Sequence, residues 1–105
     1  MQSNPRFVEP NRRANLVKNA EFRALAADMG VAAASLAIAW VCAQGQHVLP
    51  IPGTRSVEHL QECVAGAEMS LSAEDIARVE TVLPLGWCHG DRYNAVQWEG
   101  PERWA

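Results

Sequence analysis

Among its 105 residues the chain has a single tyrosine, Tyr93, and a single lysine, Lys18. Its three cysteines, Cys42, Cys63 and Cys88, are odd in number, widely spaced and without a Cys-x-x-Cys pair. That argues against a disulfide framework or a zinc ribbon, and reduced thiols in a cytoplasmic protein are the simplest reading. Positive charge is scarce too. A net charge of −3 gives no electrostatic reason to expect nucleic acid or an anionic membrane as partner. Long apolar runs are missing. The longest, Val31 to Ala43, is broken by Ser35 and falls short of the about 20 residues that span a bilayer. It suits a helix buried on most sides. The N-terminus is polar, with Asn, Pro and Arg, and lacks the apolar stretch of a signal peptide.

What remains is the composition of one soluble globular domain, 49% hydrophobic and 20% charged. Residues Met1 to Pro10 read as an irregular lead-in. Asn11 to Met29 reads as a helix with Leu16, Ala20, Leu25 and Met29 on an apolar stripe and Gly30 as its stop. Val31 to Gln44 is a second helix, with Leu36, Ala39, Trp40 and Ala43 at helical spacing, no Ser, Thr or Asp cap, and Gly45 at its end. His47 to Ile51 is the one strand candidate, although Pro50 interrupts ladder bonding on one side. Ser56 to Ala67 is a third helix, whose core stripe is Val57, Leu60, Val64 and Ala67. Arg55, His59, Glu62 and Cys63 fall on roughly the opposite face, pointing away from the core. Ser72 to Leu83 is a fourth helix. Ser72-Ala73-Glu74-Asp75 resembles a capping box with Asp in the usual Glu place, and Leu71 and Ile76 stand where a hydrophobic staple would. The tail from Leu85 to Ala105 carries Trp87, Trp98 and Trp104 and little periodicity.

The stretch Ile51-Pro52-Gly53-Thr54-Arg55-Ser56 has chemistry to offer. It predicts a short strand, a tight turn and a helix start. Unpaired N–H groups at a helix start and the helix dipole favour an anion there. Arg55 can add a forked pair of charge-assisted bonds, and Thr54 or Ser56 a further contact. Metal sites are weaker. His59, Glu62 and Cys63 have the i, i+3, i+4 spacing to share one ion but no fourth ligand nearby, and Cys88-His89 with Asp91 sits in a Gly-rich tail.

Ile51 to Cys63 resembles the cofactor-binding segment of NADP-dependent aldo-keto reductases. Asn4-Pro5-Arg6-Phe7, Asn15-Leu16-Val17, Leu36-Ala37-Ile38-Ala39-Trp40-Val41, Ala43-Gln44-Gly45, Leu71-Ser72-Ala73-Glu74-Asp75 and Gly90-Asp91-Arg92-Tyr93 are similar to further landmarks of that family, in the family's order. The resemblance implies an α/β fold, the C-terminal fragment of a (β/α)8 TIM barrel. Here it is mostly helical, with about four helices and one short strand. A complete barrel takes about 250 residues, so residues 1–105 form a partial domain.

The resemblance also implies a site. Gly53 and Thr54 shape the pocket for the 2′-phosphate of NADP(H), Arg55 pairs with that phosphate, and His59 lies beside the adenosine. Glu62 matches an acidic residue at the adenine edge. Cys63 stands where the family usually has an adenine-binding Asn, and a thiol is a weak donor and acceptor. The family's catalytic tyrosine, with its Asp, Lys and His, matches no segment of this chain. The expectation is therefore a nucleotide-binding part of a carbonyl-reducing enzyme, inactive by itself.

The alternatives are a non-enzymatic complementing or interaction chain that docks on the rest of a barrel, or the relic of a truncated gene. A helix-turn-helix regulator is disfavoured by the acidic charge and by the lack of basic residues on Val31 to Gln44. Apolar surface that a barrel would cover predicts marginal stability or self-association.

Overall fold

The computed structural model describes residues 4–99, so Trp104 lies outside the described residues. The chain forms α1 (Asn11–Asp28), α2 (Ala33–Cys42), α3 (Val57–Glu68) and α4 (Ala73–Val82). Three boundaries have a clear local cause. α1 stops at Gly30, whose φ of +74° suits a residue without a Cβ. The Gly30 N–H bonds the Ala27 carbonyl and the Val31 N–H the Ala26 carbonyl, which is a Schellman close. α2 is shorter at both ends than Val31 to Gln44, because Ala32 supplies no side-chain cap and the chain turns at Ala43. Ser56 caps α3 by accepting from the His59 N–H at 3.3 Å. At α4, Ser72 and Asp75 exchange reciprocal bonds of 3.1 and 3.2 Å, so the capping box forms with Asp.

Two local expectations change. The lead-in is not wholly irregular: Pro5–Phe7 is one 3₁₀ turn, capped by the Asn4 side chain. His47 to Ile51 is not a strand, and among the described residues no strand forms. A strand persists only where a neighbour takes its N–H and C=O groups, and none of the described residues offers one. Pro50 and Pro52 further remove two donors. Leu49 and Ile51 stand 81% and 95% exposed. The described residues are thus helical rather than α/β.

The core is built by α1, α2 and α4. Phe22, Leu25, Ala26, Leu36 and Val79 are buried together, with Met29, Trp40, Leu71 and Val82 packed around them. Only half of the expected α1 stripe takes part. Leu25 and Met29 do, while Leu16 and Ala20 are exposed, and Phe22 and Ala26 complete the buried face. The N-terminal half of α1 turns Asn11 and Asn15 to the 3₁₀ turn instead. On α2, Leu36 and Ala39 are buried, Trp40 is half-buried and Ala43 is exposed.

α3 reverses its expected orientation. Val57, Leu60, Val64 and Ala67 are exposed, and Gly66 is the buried residue. The reason is a close approach to α2. A Cβ on Gly66 would lie 2.5 Å from the Ser35 carbonyl oxygen and 2.9 Å from the Ile38 Cβ. The Ser35 hydroxyl donates to the Glu62 carbonyl at 2.6 Å across this seam. A face that carries a glycine can come nearer than the valine and leucine face.

Among the described residues no single helix is long and apolar enough to cross a membrane. α1 and α2 meet that test of length and composition only as a pair bent by 90°.

Candidate functional site

The turn between Pro52 and α3 organises itself through Thr54. Its Oγ1 accepts from the Ser56 N–H at 3.2 Å and lies 3.2 Å from the Ser56 carbonyl oxygen. The threonine hydroxyl is therefore engaged in shaping the loop, as Asx- and Ser/Thr-turn residues do. Ser56 is engaged as the α3 cap. Between them they leave Arg55 exposed, with its guanidinium outside any hydrogen bond or ion pair among the described residues. The N–H groups of Val57 and Glu58 open α3 and have no intrahelical acceptor, by helix geometry.

Gly53, Thr54, Arg55, Ser56 and His59 line one open concavity. Gly53 is informative because the fold does not demand it. Its φ is not positive, and an added Cβ would meet nothing within 4 Å. The glycine keeps the space above the turn clear. The donor set is cationic and N–H rich, which fits a phosphate. Glu58, in the first turn of α3, is the one acidic neighbour in sequence and limits how much negative charge the turn attracts.

Four of the six expected site residues, Gly53, Thr54, Arg55 and His59, come together around this concavity. Glu62 and Cys63 do not line it. They are half-buried and follow His59 at i+3 and i+4, toward Gly66 at i+7. That row therefore begins at the concavity and ends in the seam with α2, so the polar face does not point away from the neighbouring helix as its sequence suggested. Among the described residues no group of three or more His, Cys, Asp or Glu is arranged to hold a metal.

Sequence reasoning missed a second polar constellation. The Asn15 side chain donates to the Arg6 carbonyl at 3.1 Å and to the His89 carbonyl at 2.9 Å, and accepts from the His89 N–H at 2.7 Å. Arg6 Nε donates to the Gly90 carbonyl at 3.2 Å, and Asn4 Nδ2 donates to the Arg92 carbonyl. Three separate sequence landmarks thus meet in space. Side-chain bonds to backbone leave no periodic trace, so no pattern in the sequence announces them.

A helical segment with an arginine-bearing, N–H-rich turn at the start of a capped helix is the class these observations define. The chain belongs to the aldo/keto reductase family, whose family model matches residues 1–84. It is similar to probable aldo-keto reductase 1 of Glycine max, at 32% identity over 93 residues. That match takes in 89% of this chain and 27% of the soybean protein, so the chain spans about a quarter of the length of that relative. No solved structure matches. The family implies a TIM barrel for the complete domain, to which the described residues contribute helices.

Proposed function

We propose that this chain forms the 2′-phosphate and adenosine end of an NADP(H) site in an aldo-keto reductase. The observation that carries the proposal is the turn itself. Arg55 stands free beside the first N–H groups of α3, over a glycine that leaves the approach open. In this reading Arg55 takes the 2′-phosphate bidentately, the Val57 and Glu58 amides add uncharged donors, and Thr54 and Ser56 hold the loop in shape. His59 flanks the adenosine. Glu62 and Cys63 lie farther along the same row of α3, and Cys63 offers the adenine a weaker partner than an asparagine would.

NADPH, when bound, supplies a hydride for carbonyl reduction. A proton donor is also required, and no segment of this chain matches the family's tyrosine and its Asp, Lys and His partners. The chain alone is accordingly expected to reduce no aldehyde. Titration of NADPH, with NADH as control, followed by tryptophan fluorescence tests the site. Saturable binding that prefers NADPH and drops about tenfold or more in Arg55→Ala is the expected result, since a charge-assisted bidentate pair is lost. Equal affinity for the two nucleotides, or an indifferent Arg55→Ala, would overturn the phosphate assignment.

The exposed residues Leu49, Ile51, Val57, Leu60 and Val64 favour a second reading, in which the chain complements a partner that carries the rest of a barrel. Co-purification with such a partner, lost when these residues are made polar, is its test.

A further inference from the structure

The tail beyond α4 is attached chiefly by side-chain bonds to its backbone. No residue from Pro84 to Glu99 is buried. Its connection to α4 runs through Pro84, Leu85 and Gly86, all exposed, with Leu85 at 98%. Beyond that connector, Asn15 grips both the N–H and the C=O of His89. Arg6 holds the carbonyl of Gly90, and Asn4 that of Arg92. Gly90 sits at φ +88°, and a Cβ there would lie 2.7 Å from Asn11 Nδ2 and 3.0 Å from the Pro5 carbonyl. Past the clasp the segment has its own internal ties. Asn94 and Gln97 exchange bonds of 3.0 and 2.9 Å, and the Tyr93 and Trp98 rings meet edge to face at 5.2 Å.

From this geometry we infer that His89–Glu99 is a strap clasped by Asn15, which opens as a unit while the helices stay folded. The physical ground is the separation of two kinds of bonding. The buried cluster around Leu36 draws on α1 from Phe22 onward, whereas the clasp uses Asn4, Arg6 and the first turns of α1. Releasing the clasp uncovers polar backbone that water can satisfy and removes no side chain from the buried cluster. The clasp bonds are exposed or only partly buried, Tyr93 and Trp98 are half-buried, and segments held mainly by such polar bonds, with no fully buried residue, open below the global unfolding free energy.

Native-state hydrogen exchange on the full chain tests this, with Asn15→Ala and Gly90→Ala as independent ways to undo the clasp. The expected result in both is exchange at the His89 amide about tenfold or more faster, from loss of its acceptor or of its close seat. The Leu36 and Ala39 amides should exchange at unchanged rates, and helical circular dichroism should be retained. If core amides lose protection in step with His89, or if either variant loses its helices, the clasp is part of the core and the inference fails. It fails equally if His89 exchanges at the same rate in both variants and the parent.

Discussion

Leu36 on α2 and Leu60 on α3 occupy equivalent places in their own helical patterns, yet one is fully buried and the other 51% exposed. Leu36 is buried in one cluster with Phe22, Leu25 and Ala26 of α1 and Val79 of α4. Leu60 belongs to a row with Val57 and Val64 that no element among the described residues covers. α3 is held to α2 by its opposite side, through Gly66 and the Ser35 hydroxyl. The molecule thus has one region where apolar pattern and packing agree and one where they part. The hydrophobic effect rewards whatever contact is available, and here a small-residue seam is available to α3 while a cover for its larger side chains is not.

Truncation at the better-packed end of this contrast has the largest effect. Leu36→Ala removes a fully buried side chain and leaves a cavity, at a cost of about 2–5 kcal/mol. Domains of this size have only about 5–15 kcal/mol of stability, so urea or thermal unfolding should show a large fall in midpoint or no folded baseline at all. A midpoint that barely moves would mean that the α1, α2 and α4 cluster does not hold the fold.

Gly66→Ala examines the seam through its sign. Alanine is the better helix former by roughly 1 kcal/mol, so on an open helix face the substitution would stabilise. Here the new Cβ meets backbone of α2 at 2.5 Å, and overpacking of that kind costs about 1–3 kcal/mol. A net loss of up to about 2 kcal/mol is expected in a chemical melt. A gain would show that α3 is not seated on α2 through Gly66.

Three helix ends were legible because their causes are local, while both ends of α2 were overestimated. Ser56, Ser72 with Asp75, and Gly30 each act within a few residues of themselves, and each does so as its type predicts. The gathering of residues before α3 was legible for the same reason. Gly53, Thr54, Arg55 and His59 are near neighbours in sequence, so a turn and one helical step suffice to collect them. What could not be read was which side of α3 finds a partner. The 3.6-residue period correctly grouped Val57, Leu60, Val64 and Ala67, but a period identifies an apolar face without saying what lies against it. The strand failed on a related ground. His47 to Ile51 carries strand-like residues, but its ladder depends on neighbours that its own sequence does not contain. The clasp around Asn15 joins residues 74 positions apart through side-chain bonds to backbone, for which sequence offers no signature.

The smallest stability effect should come from the uncovered row. Leu60→Gln replaces an apolar side chain that is already half in water, so the folding free energy should change by no more than about 0.5 kcal/mol, far less than at Leu36. The same substitution should act strongly on association. Leu60 lies on α3 with Val57 and Val64, 73% and 50% exposed, and exposed apolar rows of this kind drive contact between molecules. Sedimentation velocity over a range of concentrations should show the parent chain associating and Leu60→Gln moving toward monomer, at nearly unchanged melting midpoint. A pronounced fall in midpoint without any change in association would place Leu60 inside the fold and remove the distinction between the two leucines. The paired result, stability kept and association lost, would instead locate the unspent hydrophobic driving force of this chain on α3.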